Sequence, residues 1–441
     1  MKGKRFLIVV GVLLLALTFA ALPFIGACAP TPTAPTAPTA PTAPPAPKPQ
    51  DQPLKLGMSI CMTGIAAEKG SPMGHGKLDC IKYINDELGG VDGHPIIADW
   101  YDNAYDNAKA ITIVKKLMDD GALFFTTNDS KTMTASMESA NAAGFPGIAS
   151  FSSPVCTIPP KHIYAQFQDY GDDWAAFAKY YMENIWKGTG KPKMALELLN
   201  NPTGAGSKMG AQAGAETLGI DIVATEEHAG TTISEMEAMT RIKALKPDVL
   251  FISSTPAPTA VIIKNAYDLG MYPGIVIGCA HASYTSYLVD KAGAVVEGVY
   301  GVYITACWGD NVPGMAKMTE YCKKYHSRDY GNMDYITSWA EALVDAQILK
   351  LALESCGYDA LAKGDATAWA CVEKNGIQKL DYDVQGLQPP VKYTPGDNRL
   401  SNLYRIFVIK NGVLTPITDW LKSPLIPYEK YPDKFPWAVP K

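Results

Sequence analysis

LKLGMSICMTGIAAEKGSPMGHGKLDCIKYINDELGGVDGHPIIADWYD, residues 54–102, decides the architecture of the chain. Its first seven residues, LKLGMSI (54–60), form a short apolar run that reads as a buried strand. From Gly76 to Leu88 the period changes, and Leu78, Ile81, Ile84 and Leu88 fall on one face of a helix. IIADWYD (96–102) reads as a second strand. Strand, helix and strand in that order predict a parallel pair, because parallel neighbours need a crossover connection.

The alternation continues outward from this unit. Ala110, Ile113, Val114 and Leu117 repeat at helical spacing. After them come ALFFTT (122–127), a helix near 131–143, PGIAS (146–150), HIYAQFQ (162–168) and a helix over 172–187. A second run follows: strands at 193–199, 219–225, 248–254 and 274–278, with helices at 205–217, 234–244 and 257–269 between them. The pattern predicts an α/β fold with parallel sheets covered by helices on both faces. At 441 residues, 47% hydrophobic and 19% charged, the chain has material for two cores.

In open parallel sheets ligands sit outside the carboxyl ends of the strands. The segments there are MTGIAAEKG, TTNDSKT, SFSSP, NNPTGAG, SSTPAPT and CAHAS, rich in hydroxyls, amides and free backbone N–H groups. Capping a following helix is a sufficient reason for any one of them. As a set they point to convergence on one cleft.

The N-terminus has a different texture. Lys2, Lys4 and Arg5 precede FLIVVGVLLLALTFAALPFIG, the layout of a secretory signal peptide over residues 1–27. Ile25, Gly26, Ala27 and Cys28 form a lipobox, with Cys28 as the thiol that accepts diacylglycerol. An uncleaved transmembrane anchor is the alternative, and Pro23 argues against it. Either way the rest of the chain is extracytoplasmic and tethered to the membrane. Losing those three cations from a formal net charge of −5 leaves about −8. Residues 28–53 follow as a Thr-Ala-Pro tract, an extended spacer of ~3.1 Å per residue, with a Pro-rich recognition ligand as its rival reading.

Several function classes lack support. The acidic balance and the absence of a basic cluster beyond the N-terminus speak against nucleic acid. No GxSxG, HExxH or GxxxxGK[ST] occurs, and the six histidines (75, 94, 162, 228, 281, 326) lack metal-ligand spacing. No cofactor or metal is expected. Of nine cysteines, eight remain besides Cys28; Cys61 with Cys80 and Cys356 with Cys371 are the candidate disulfides, and free buried thiols are the alternative.

From Leu54 onward the chain resembles the type I solute-binding proteins of the branched-chain amino-acid-binding family of ABC transporters. The likeness is carried by Thr63-Gly64 after the first strand, INDELGGVDG (84–93), Asp102 and the helix containing KKLMDDG (115–121). IKALKPDVLFIS, AYDLGM and AGAVVEGVYGV look like segments of the second lobe, and 389–420 is similar to the C-terminal hairpin of members that handle aromatic acids or amide-type solutes. The resemblance implies two Rossmann-like lobes joined by a three-strand hinge, the periplasmic binding protein type I architecture. It implies lobes of 54–170 plus 305–388 and 171–304 plus 389–441, with crossovers near 169–172, 302–306 and 386–394.

The resemblance also implies a site. A ligand carboxylate is held in relatives by loops that here supply Thr127, Asn128, Ser130, Ser150, Phe151, Ser152 and Ser153. The ammonium is held there by an acid in the loop that here reads Ala280-His281, so an α-amino acid is a poor fit to this chain. Phe167 stands where an Arg is frequent and Lys69 where an aromatic is frequent. Gln168, Asn201, Thr255 and His281 complete the candidate ligand-binding set. Phe167, Tyr170 and Trp174 are candidates to wall an apolar ligand, packing within the helix being the other use of Trp174. Lys69 is a candidate partner for a ligand anion, and exposure is its ordinary fate.

The leading expectation is a monomeric, non-enzymatic binding protein of an ABC importer, delivering a carboxylate, aromatic acid or amide to a permease with a cytoplasmic ATPase. A ligand-sensing receptor ectodomain of the same fold is the alternative. An exported hydrolase has only post-strand Ser and Asp residues behind it.

Overall fold

A computed structural model describes residues 52–439; the leader, Cys28 and nearly all of the spacer lie outside the described residues. The first sheet contains β1 (Leu54–Ile60), β2 (Ile96–Asp102), β3 (Phe125–Thr127), β4 (Gly147–Ala149) and β5 (Ile163–Ala165), parallel in the order β2-β1-β3-β4-β5. Its crossovers are α1 (Ala67–Glu87), α2 (Asn107–Asp119), α3 (Ser130–Ala143) and the short α4 (Pro154–Thr157). Helix α1 begins at Ala67 rather than Gly76. Its first half carries glycines where an apolar stripe would be, and they serve close approach: a Cβ at Gly70 would run into the Cys61 carbonyl, and one at Gly76 into that of Tyr335.

After α5 (Tyr170–Tyr180), which ends in a π-type turn over Tyr181–Ile185, the second sheet begins. It holds β6 (Lys193–Leu199), β7 (Asp221–His228), β8 (Val249–Ser253), β9 (Val276–Cys279) and β10 (Tyr300–Tyr303), parallel in the order β7-β6-β8-β9-β10. The crossovers are α6 (Pro202–Leu218), α7 (Met236–Ala244), α8 (Pro256–Asp268) and α9 (Ser286–Ala292). The chain then returns to the first sheet as α10 (Met315–Tyr325) and α11 (Met333–Cys356), followed by a small hairpin of β11 (Asp381–Tyr382) and β12 (Val391–Lys392). Finally β13 (Leu403–Lys410) pairs antiparallel with β10, and β14 (Val413–Pro416) pairs with β13.

One core packs β1, α1, α10 and α11, and Leu54, Trp339 and Leu400 all belong to it. A smaller cluster joins α2, α3 and Trp369 on the opposite face of the first sheet. The second lobe has its own core around β6, β8, α5 and β13. Apart from Met73, Phe151 and Met333, which pack across the cleft against the second core, the chain passes from one core to the other between Tyr164 and Phe167, between Ile304 and Ala306, and between Leu400 and Tyr404. The third passage thus lies beyond 386–394, because Val391 and Leu400 still bury themselves in the first core. Arg399 braces it, donating from Nη1 to Asp172 at 2.9 Å and from Nε to Asp397 at 2.9 Å.

Cys356 and Cys371 form a disulfide that ties the end of α11 to the helix at Ala366–Cys371. Cys61 and Cys80 do not pair, and both are free and buried. Cys61 ends up at the cleft, whereas Cys80 faces the α1–α11 core.

Candidate functional site

A small cavity lies between the lobes. Its walls come from segments that follow strands. The first lobe contributes Cys61, Ala66, Lys69, Gly70 and Met73 after β1, Tyr105 after β2, Asn128 and Asp129 after β3, and Phe151 after β4. The second contributes Tyr170 after β5, Thr203 after β6, Thr255 after β8 and Ala282 after β9. Strand order reverses at β1/β3 in one sheet and at β6/β8 in the other, and the cavity sits over both switch points. The lobes are closed on each other. Asn201 Nδ2 donates to the Tyr105 hydroxyl at 2.8 Å, and the Ser130 and Thr203 hydroxyls meet at 3.3 Å.

Lys69 is buried rather than exposed, and its partner is internal. Its ammonium pairs with Asp334, at the start of α11, and lies 4.5 Å from the centroid of the Phe151 ring. The Tyr303 hydroxyl donates to the same Asp334 at 3.0 Å. Asp129 caps α3, accepting from the Thr132 backbone N–H and hydroxyl at 2.7 Å each, and burial pushes its carboxyl up. Glu68 faces the backbone N–H of Ala257 in the first turn of α8; burial pushes its carboxyl up, and that amide opposes the shift.

A smaller space adjoins the cavity, lined among others by Thr127, Asn128 and Ser150. Beneath it Lys77 Nζ lies 2.9 Å from Asp345 and from the Thr126 hydroxyl, and 3.7 Å from Glu341. Both carboxyls are pushed up by burial and held back by Lys77.

The structure brings Lys69, Asn128, Phe151, Tyr170 and Thr255 to the cavity wall, places Thr127 and Ser150 at the adjoining space, and sets the other candidates elsewhere. His281 is fully buried behind the wall, its ring 4.4 Å from that of Phe151 and 5.0 Å from that of Tyr170. Its Nδ1 is 2.5 Å from Asp173, whose other oxygen accepts from Gln168 at 2.7 Å. Phe167 packs behind Phe151 at 6.4 Å, Ser152 is buried beneath the loop, and Asn201 bridges the lobes. Trp174 is a core residue, its indole N–H directed at Met194 Sδ at 3.2 Å.

Tyr105 and the partner acid Asp334 escaped sequence reasoning, and Thr203 and Ala282 lay in post-strand loops without being singled out. Asp129 stood inside a quoted loop, and its place as a helix cap before Thr132 was the available signal.

The remaining histidines have partners of their own: His75 with Asp329, His94 with the Gln52 carbonyl, His162 with Glu373 and His326 with Asp79. Among the described residues no group of three or more His, Cys, Asp or Glu is in position to hold a metal ion. His228 joins Glu197 at 3.1 Å and Ser254 at 2.7 Å, an order of groups that also occurs in hydrolases. Here all three are sealed from solvent, and the Ser254 backbone N–H is itself taken by Ser283 at 2.7 Å. The trio ties together the ends of β6, β7 and β8.

Two α/β lobes closed over a cavity at facing strand ends define a cleft-type binding protein. The family model described as periplasmic binding protein matches residues 53–413, and the chain belongs to that family of non-enzymatic binding proteins. A Leu/Ile/Val-binding protein homolog 7 from Brucella suis biovar 1 is 22% identical over 337 residues, covering 74% of this chain and 83% of the relative. Among solved structures, a branched-chain amino acid ABC transporter protein from Thermus thermophilus with bound valine superposes with a TM-score of 0.77 at 19% identity, over 86% of this chain and 99% of that one. A fatty acid ABC transporter substrate-binding protein from Thermomonospora curvata gives 0.74 at 20% identity, over 86% and 95%.

Proposed function

We propose that the protein is the lipid-anchored, extracytoplasmic solute-binding component of an ABC importer. Its solute is a small molecule without an α-amino group: a carboxylate, an aromatic acid or an amide. The observation that carries this reading is the cleft itself, in which the apolar and aromatic side chains of Ala66, Met73, Phe151 and Tyr170 stand beside polar groups from both lobes, among them Lys69, Asn128, Thr203 and Thr255. The loop after β9 supports it. There Asp173 is matched by His281 and Gln168, so no free acid waits for a ligand ammonium. Relatives described for valine and for fatty acid share the architecture, which makes wall chemistry a better guide to the solute than fold. Capture closes the lobes, and a permease reads the closed form.

Native mass spectrometry of the purified chain identifies a co-purifying small molecule, and thermal shifts across aromatic acids, short carboxylates and amides test the class. Absence of both would overturn the reading. Radiolabelled palmitate incorporation, lost in Cys28→Ser, tests the anchor.

A further inference from the structure

The features of the cleft that would receive an anion already hold carboxylates of the chain. The Lys69 ammonium is paired with Asp334. The N-terminus of α3 is capped by Asp129, and the first turn of α8 faces Glu68. The N-terminus of α6 is met by a neutral group, the Asn201 carbonyl accepting from Thr203 N–H at 2.8 Å. Lys131, the other cation nearby, donates to the Tyr105 carbonyl at 2.6 Å and lies 4.5 Å from that residue's ring. A solute carboxylate would therefore enter beside three carboxylates and two cations, Lys69 matched by Asp334 and Lys131 held by the Tyr105 carbonyl and ring. An uncharged carbonyl oxygen meets no such repulsion. It can accept from the ammonium protons that Asp334 leaves unused, since a lysine carries three donors.

Resting on the solute-binding reading above, we propose that the cleft selects an uncharged carboxamide with an apolar or aromatic body over the carboxylate of the same shape, and that Asp334 sets this preference. Asp334 acts through Lys69 and is a positioning residue. Its unpaired Oδ2 is buried, so its charge is felt in the cleft without direct contact with the solute.

The test is isothermal titration of the full chain with matched trios: isobutyramide, isobutyrate and isobutylamine; benzamide, benzoate and benzylamine; and the same three head groups on the body of any co-purifying molecule. The expected result is an amide bound about tenfold or more tighter than the matching carboxylate. Asp334→Asn keeps an acceptor for Tyr303 and leaves Lys69 unmatched, and it should shift the carboxylate-to-amide ratio about tenfold towards the carboxylate. Lys69→Gln should weaken the amide without helping the carboxylate. A carboxylate bound as tightly as its amide by the unaltered chain overturns the proposal, as does an unmoved ratio in folded Asp334→Asn. The first comparison needs no variant, so a misfolded substitution does not spare the idea. Binding with the wrong head-group order refutes this inference alone, whereas no binding by any compound and no co-purifying molecule refutes the solute-binding reading with it.

Discussion

The two lobes face the same cavity with different chemistry. The first presents charge: Lys69 and Asp129 in the wall, Glu68 at its edge, and the Lys77–Glu341–Asp345 cluster beneath. The second presents Tyr170, Thr203, Thr255 and Ala282, and keeps its ionisable groups behind the wall as His281–Asp173 and His228–Glu197 pairs. Buried charges that depend on one another need fixed geometry. The first lobe is thus the preformed half of the site, and the second acts as a cover that meets it through uncharged groups, such as Asn201 on Tyr105 and the Tyr303 hydroxyl on Asp334.

The largest test of that asymmetry is Lys77→Met. It strands two buried carboxylates and should lower unfolding free energy by about 3–5 kcal/mol in urea titrations at pH 7. Glu197→Gln in the second lobe preserves an acceptor for His228 and should cost only about 1 kcal/mol in the same assay. Equal losses would break the comparison. Asn201→Ala removes the bond to Tyr105 across the cleft and should weaken solute binding by about 1 kcal/mol, roughly fivefold, with little change in melting temperature. A hundredfold loss in calorimetry would assign solute holding to the second lobe as well.

The smallest effect concerns pH. Burial in the closed form raises the Glu68 carboxyl above its ordinary value of 4.5. The closed form therefore binds more protons than an open form in which Glu68 is exposed. Its contribution to closure is fully present below the ordinary value and lost as pH rises through the raised one. Affinity measured from pH 7 down towards 5 should rise a few-fold, and Glu68→Gln should flatten the profile.

Much of this layout was legible in the sequence because strands buried on both faces are short, continuous and apolar, as in KMALELL at β6. Helix α11 was not. Seventeen of its 24 residues are buried, so it shows no polar face from which a period can be read. The start of α1 was hidden by glycines that serve packing. In the site, the loops were legible and the directions of the side chains were not. His281 turns inward because Asp173 lies on α5, more than one hundred residues away in sequence. Tyr105 reaches the cavity from a residue at φ 58°, a conformation that no local pattern at that position announces.

The late third passage bears on how the chain comes to be folded. Leu54 and Leu400 share one core, so a chain emerging from its N-terminus must release about 350 further residues before that core can close. Until then neither lobe is complete, since the second sheet also waits for β13. Neither lobe can therefore reach its finished packing until nearly all of the chain has been released.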